Sequence, residues 1–286
     1  MSLKKIVRFP DGAAVPALGL GTWNMGDTAA RRADELAALR AGIAAGMTLL
    51  DTAELYGDGR SETLVGEAIK GMDREKLFLV SKVLPQNASR AHIFDSCESS
   101  LRRLGTDYLD LYLLHWRGSA RLSETVTCME ELVQQGKIRR WGVSNFDTRD
   151  MEALWKVPGG SRCSANQVLY HVGSRGIEYS LLPWMQEHHI PTMAYCPIAQ
   201  AGDLDKSLYR NDTLQRIAQA HHATISQILL AFAILRGDVI AIPKSGKQQH
   251  VLENAKAGDI ELTQEQIDQI NSAFPPPTDK QYLDTV

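Results

Sequence analysis

The chain has 286 residues, 44% of them hydrophobic and 23% charged, the balance of a globular protein able to bury a sizeable core. Lys and Arg number 31 against 34 Asp and Glu, a formal net charge of −3, which argues against a nucleic-acid partner. No apolar window approaches the ~18 residues of a membrane helix.

Cys97, Cys128, Cys163 and Cys196 are widely spaced and form no CxxC pair, so neither a zinc site nor a disulfide framework is expected. Single scattered cysteines, and an opening MSLKKIVRFPDG without an apolar stretch, lead us to expect a cytoplasmic protein.

In chain order, residues 6–18 (IVRFPDGAAVPAL) read first as a short hairpin turning at Asp11-Gly12 and placed to plug a floor. Eight short apolar runs follow, of the kind that forms strands buried on both faces. They are Ala17–Thr22, Met47–Thr52, Lys76–Lys82, Tyr108–His115, Ile138–Asn145, Ser164–Tyr170, Ile190–Tyr195 and Val239–Pro243. The stretches between them carry helical spacing. Leu36, Leu39 and Ile43 recur at three and four residues, as do Leu64, Val65, Ala68 and Ile69. The same holds for Ile93, Cys97, Leu101 and Leu104, for Met129, Leu132 and Val133, and last for Ile225, Ile228, Leu229 and Phe232. Ser123-Glu124 reads as an N-cap and first turn, and Gly136 as a stop. An extra helical stretch lies near Asp212–His222, and residues 274–286 (FPPPTDKQYLDTV) read as an extended tail.

Strand and helix alternating eight times predict a parallel sheet with right-handed crossovers. Closing that sheet satisfies both edges, and the length suits the typical ~250 residues of such a barrel. The expectation is an α/β protein: one (β/α)8 TIM barrel over residues 1–286, with an N-terminal β-hairpin and a C-terminal extended tail. An open doubly wound sheet is the rival. It would bring a GxGxxG turn after its first strand, but here Gly19-Leu20-Gly21 runs on to Thr22-Trp23-Asn24 without the third glycine.

Polar residues cluster where the apolar runs end. Asp51, Lys82, His115, Ser144 with Asn145, and Tyr195 stand at run ends, Gln167 lies within the sixth run, and Lys244 and Ser245 follow the eighth. In a barrel all these ends share one face, where active sites form. Each residue also has a plain structural reading. Asp51 can cap a helix, Lys82 can reach for the rim, Tyr56 in the loop Thr52–Gly59 can simply pack, and His115 can be a satisfied core histidine. Joint occurrence favours chemistry. A buried Asp51 and a buried Lys82 each need a partner and answer each other. A phenol with an ordinary value near ~10 is a poor acid at neutral pH, and an ammonium braced by a carboxylate is expected to lower it. Histidine can orient a carbonyl oxygen. Asp51, Tyr56, Lys82 and His115 are therefore the candidate catalytic set for protonating a carbonyl. None of them supplies a hydride, so a nicotinamide cofactor is expected and no metal.

At these residues the sequence closely resembles the aldo-keto reductase superfamily, over nearly the whole chain. LDTAELYGDGRSETLVGEAI holds Asp51 and Tyr56, LVSKV holds Lys82 and DLYLLHW holds His115. LLHW, WGVSN and SRGIEYSLLPW are most similar to bacterial members of the methylglyoxal reductase type. The resemblance implies NADPH-dependent reduction of small aldehydes and ketoaldehydes, methylglyoxal-like or aromatic, with Tyr56 as general acid. From GKIRRWGVSNF and NQVLYH it implies that Ser144, Asn145 and Gln167 bind the nicotinamide carboxamide. From AYCPIA it implies Tyr195 stacked on the ring, with Pro197, Ile198 and Ala199 beside the cofactor. From AIPKSGKQQHVLENA it implies Ile242, Pro243, Lys244, Ser245 and Gly246 along the adenosine phosphate, with Lys244 and Ser245 on the 2′-phosphate and Glu253 and Asn254 on the adenine. Gly21, Thr22, Trp23 and Asp51 complete the implied cofactor contacts.

His250 departs from the family, which commonly has an arginine there to clamp the 2′-phosphate. An imidazole lacks the always charged fork of a guanidinium, so a narrower NADPH preference is expected, with Lys247 as compensation. Trp23, Tyr56, His115 and Trp116 would line a compact aromatic substrate pocket. Residues 196–210 read as a flap able to fold over the cofactor. The expected partner is a small-molecule carbonyl, with no nucleic acid or membrane, and the protein is expected to be a monomer. Two alternatives stand beside this reading. One is a cofactor-binding regulatory barrel with little turnover. The other is a metal-dependent hydrolase using Asp51, Glu54 and His115, disfavoured because no HxH follows the first strand.

Overall fold

The computed structural model describes residues 3–199 and 207–286. Strands β1 (Ile6–Arg8) and β2 (Ala14–Pro16) form the expected antiparallel hairpin, and Gly12 supplies the left-handed residue of its turn at φ +87°. Eight parallel strands follow: β3 (Leu20–Gly21), β4 (Leu49–Asp51), β5 (Phe78–Val83), β6 (Leu111–Leu114), β7 (Trp141–Ser144), β8 (Asn166–Leu169), β9 (Thr192–Tyr195) and β10 (Val239–Ala241). Each overlaps one of the eight apolar runs, and each pairs with its neighbours in sequence.

The two ends of the sheet meet. Gly19 N–H donates to Ala241 O at 2.8 Å, Ala241 N–H donates to Ala17 O at 2.8 Å, and Gly21 N–H donates to Pro243 O at 3.1 Å. Glycine makes this approach possible at residue 21, because a Cβ there would lie 2.6 Å from Ile242 O. The fold is thus the expected (β/α)8 barrel, and its ladder has no open edge to solvate. Every residue of β4 to β8 is buried, as continuous apolar runs require when one face meets the barrel interior and the other the helices.

The hairpin seals the floor. Phe9 stacks on Phe78 with ring centroids 5.0 Å apart. The Arg140 guanidinium covers both rings at 5.4 and 5.1 Å and bonds Asp11 Oδ2 and Asp110 O, each at 2.8 Å.

Helices α1 (Ala29–Ala44), α2 (Arg60–Ile69), α3 (Ile93–Leu104), α4 (Leu122–Gln134), α5 (Thr148–Trp155) and α6 (Leu181–Glu187) follow successive strands. Then come α7 (Asp212–Ala220), α8 (Ile225–Ala233), α9 (Gln248–Lys256) and α10 (Gln264–Ala273). Gly136 ends α4 at φ +71°, as expected. The expected N-cap is corrected: Arg121 occupies that position without a side-chain bond, and Ser123 lies inside the first turn. No helical spacing is named above for α5, α6, α9 or α10, and in α9 and α10 the apolar stripes are narrow. Only Val251, Asn254 and Ala255 are buried in α9, and only Ile270 in α10, so hydrophobic period gives little signal.

Beyond Ala273 the chain has neither helix nor strand. This tail is tied back by Arg175 to Phe274 O at 2.6 Å, by Lys280 to Asp147 at 3.4 Å and by Ser174 to Asp284. Among the described residues no helix is long and apolar enough to cross a membrane.

Candidate active site

Asp51 ends β4, Lys82 lies near the end of β5, and His115 directly follows β6. The register that pairs Asp51 with Val80 and Lys82 with Leu113 therefore carries all three to one rim. Lys82 has no exposed surface. Its ammonium donates to Asp51 Oδ2 at 2.8 Å, Thr52 O at 2.8 Å and Tyr56 Oη at 3.1 Å. An ammonium has three N–H groups, and all three are spent. The phenol oxygen accepts from Lys82, which leaves the phenol hydrogen to point elsewhere. Asp51 uses its second oxygen to accept from Gln167 Nε2 at 2.7 Å.

Burial works against the Lys82 charge, but the Asp51 carboxylate, the Tyr56 oxygen and the hydrogen bonds to both together hold the ammonium above its ordinary value. Burial pushes the Asp51 carboxyl up, opposed by Lys82 and Gln167. Burial likewise pushes the Tyr56 phenol up, and the pull of Lys82 does not overcome it. This corrects the expectation of a lowered phenol. Tyr56 stays protonated because loss of water outweighs one neighbouring charge.

His115 is 7% exposed, and its ring meets the Tyr56 ring edge-on with centroids 5.8 Å apart. Burial, followed by the Lys82 charge, brings it down to about 3. It is therefore neutral at physiological pH, with one ring N–H to donate. Its Nδ1 is buried and has no hydrogen-bond partner among the described residues. Trp116 lies against it at 4.8 Å, and Trp116 and Trp23 are each 38% exposed, unusual for so large an apolar ring.

The next strand ends converge on the same rim. Ser144 Oγ donates to Gln167 O at 2.8 Å. Asn145, held left-handed at φ +58°, donates from Nδ2 to His115 O at 3.1 Å and accepts at Oδ1 from Tyr195 Oη at 2.9 Å. The Val286 backbone comes near enough to Tyr195 to act on its phenol, so the end of the tail reaches this wall. Pro197 is buried, Ile198 and Ala199 are half-buried against the core, and residues 200–206 of the expected flap lie outside the described residues. The Thr22 hydroxyl is buried and already engaged, donating to Asp51 O at 2.8 Å and accepting from Ser61 Oγ at 2.7 Å.

Lys244 bridges to Gly21, which places the segment Ile242–Gly246 beside the first strand. Ile242 and Pro243 are buried, Lys244 is exposed, and Ser245 and Gly246 are half-buried. Helix α9 starts with Lys247 at its N-cap, no side-chain cap bond and no acidic residue in its first turn. His250 is exposed in that turn. Glu253 accepts from Gln249 Nε2 at 2.9 Å, and Asn254 is 5% exposed.

The carbonyl of Thr52 on Lys82 and the Ser61 hydroxyl between Thr22 and Thr52 went unnoticed in the sequence. Main-chain carbonyls carry no residue signature, and Ser61 meets a partner 39 positions away.

The Aldo/keto reductase family profile matches residues 17–274. The chain belongs to the aldo/keto reductase family. Among its relatives, it is 53% identical to methylglyoxal reductase YeaE of Escherichia coli K12 over 99% of both chains. It is 36% identical to the glyoxal reductase of Bacillus subtilis, over 95% of this chain and 93% of that one. In three dimensions it is similar to the Klebsiella pneumoniae aldo/keto reductase crystallised in complex with NADP and acetate. The TM-score is 0.96 at 56% identity, covering 99% of this chain and 100% of that one. The aldo/keto reductase resemblance seen in the motifs is thus shared by the whole chain.

Proposed function

We propose that this family member is an NADPH-dependent oxidoreductase that reduces small aldehydes and ketoaldehydes, methylglyoxal-like or aromatic, to alcohols. The observation that carries the reading is the buried Lys82 ammonium, bonded at once to Asp51 and to the Tyr56 phenol at the barrel rim. The naming of the E. coli and B. subtilis relatives as reductases of methylglyoxal and glyoxal supports the substrate class, and the NADP-bound Klebsiella neighbour supports the cofactor.

The residues fit that cofactor. An anionic phosphate suits the start of α9, whose N–H groups lack a side-chain cap and which is preceded by Lys244, Ser245 and Lys247. Ser144, Asn145, Gln167 and Tyr195 would hold the nicotinamide end, with Gly21, Thr22, Trp23, Pro197, Ile198 and Ala199 lining its course and Glu253 and Asn254 at the adenine. When bound, NADPH supplies the hydride.

The remaining steps belong to the chain. Tyr56 places its proton on the carbonyl oxygen. Lys82, already donating to the phenol oxygen, stabilises the phenolate that results, and Asp51 holds the ammonium in place. Neutral His115 donates a hydrogen bond that orients the carbonyl oxygen. Trp23 and Trp116 wall the site against water and favour compact neutral substrates.

The test is a panel of methylglyoxal, an aromatic aldehyde and a simple ketone, followed by loss of reduced-cofactor absorbance with NADPH and with NADH. Steady turnover of the aldehydes, faster with NADPH, is expected. Tight NADPH binding without turnover of any carbonyl would favour the regulatory alternative instead.

A further inference from the structure

The loop that carries Tyr56 is held to β5 by a carboxylate in place of a missing rung. The parallel ladder between β4 and β5 continues past Asp51. Thr52 N–H donates to Val80 O at 2.9 Å, and Glu54 N–H donates to Lys82 O at 3.4 Å. The alternation of a parallel pair would next bring Leu84 N–H onto the Glu54 carbonyl. Instead Leu84 N–H donates to Glu54 Oε1 at 2.6 Å, and Asn87 Nδ2 donates to the same oxygen at 3.0 Å. The side chain completes the ladder that its own backbone has left. The main chain is thereby free to turn at residues 53–56, where Tyr56 N–H closes on Ala53 O at 3.1 Å, and to send the phenol back over the rim.

We propose that Glu54 is a positioning residue, a staple from the Tyr56 loop to the segment after β5 that sets the 3.1 Å approach of the phenol to Lys82 Nζ. This rests on the reading of Tyr56 as the proton donor. Among the described residues the Glu54 carboxylate bonds Leu84 N–H and Asn87 Nδ2 and makes no hydrogen bond to the phenol or the ammonium. It acts through the spacing of two loops, one leaving the strand of Asp51 and one leaving the strand of Lys82. Loss of the staple lets the phenol drift from the ammonium, and a misplacement near 1 Å is enough to cost about a hundredfold in rate. The ionisable groups facing the phenol are Lys82, Asp51 and Cys196, with the neutral His115 ring edge-on to it and the Tyr195 phenol within electrostatic reach. Of these only the Lys82 ammonium pulls its value down, so drift from it moves the phenol ionisation upward.

Two variants separate reach from charge. Glu54→Asp keeps the carboxylate but is one methylene short of Leu84 N–H, whereas Glu54→Gln keeps an acceptor oxygen at the same reach and gives up the charge. E54D is expected to lower kcat about tenfold or more, to leave the NADPH Kd unchanged and to move the basic limb of the kcat/KM pH profile upward. E54Q is expected to follow the wild type in all three. The proposal is overturned if E54D keeps the wild-type rate and limb, or if E54Q falls alongside it. Tyr56 ionisation, taken as the ultraviolet difference titration of each protein against its own Tyr56→Phe counterpart, reports the staple without turnover. It separates failure of the staple from failure of the carbonyl-reductase reading.

Discussion

Replacing Lys82 by Met probes the centre of the site most severely. The ammonium and the carboxylate of Asp51 are 2.8 Å apart, with side chains 0% and 3% exposed. At an effective dielectric of ~20 that separation corresponds to about 6 kcal/mol of attraction. The desolvation of two ions offsets much of it, so the pair adds little net stability while intact. Lys82→Met removes the attraction and leaves the carboxylate buried, with Gln167 as its remaining side-chain donor. Breaking one side of such a pair costs about 3–5 kcal/mol.

The cost carries a sign in pH. Burial already pushes the Asp51 carboxyl up, and Lys82 is the largest influence opposing it, so in the variant the folded value rises further. A carboxyl whose folded value exceeds its unfolded one takes up a proton on folding. The variant therefore loses stability as pH rises from the unfolded value near ~4 through the folded one. Urea unfolding followed by tryptophan fluorescence should show a smaller deficit near pH ~5 than near pH ~8. Adding Asp51→Asn, which deletes the stranded charge, should restore most of it. A deficit equal at both pH values and undiminished in the double variant would refute the buried-pair account.

Three further expectations follow from the geometry. Tyr56→Phe should reduce turnover by about a hundredfold to ten-thousandfold while leaving NADPH affinity nearly intact in a fluorescence titration; lost binding would mean that Tyr56 is structural. His115 has a folded value of about 3, far below the unfolded ~6.5, so only the unfolded chain gains a proton between them. Stability should then drop as pH falls through that window, with His171, at about 4, adding to the slope. His115→Asn should flatten the dependence of the urea midpoint, and an unchanged slope would show that the imidazole is not buried neutral. Lys244→Ala should narrow the NADPH preference in kcat/KM by about tenfold. Equal efficiency with NADH and NADPH in both the wild type and the variant would remove Lys244 from phosphate recognition.

Much of the barrel is legible because strands buried on both faces are mostly apolar, so that a polar residue within them stands out. The runs LLD, FLVSKV and LYLL announce themselves, and so do Asp51, Lys82 and His115, charged or polar groups whose burial demands partners. The spacing of α9 and α10 could not be read because one to three buried positions each leave almost no period to detect. The Arg121 cap escaped because it makes no side-chain bond. Ser61, Thr22 and Thr52 form their buried hydroxyl contacts between segments with unrelated local patterns.

The amino-acid order by itself determined eight strands in succession, the hairpin beneath them and the identity of the reactive side chains at their ends, since each is encoded within a few neighbouring residues. Tertiary closure decided the rest. It joined Gln167 to Asp51 across 116 positions, spent the third Lys82 donor on a main-chain carbonyl and put a carboxylate where a ladder rung was missing. It also turned the Tyr56 phenol upward rather than downward. That last outcome depends on how much water the folded rim excludes, a quantity no local stretch of chain contains.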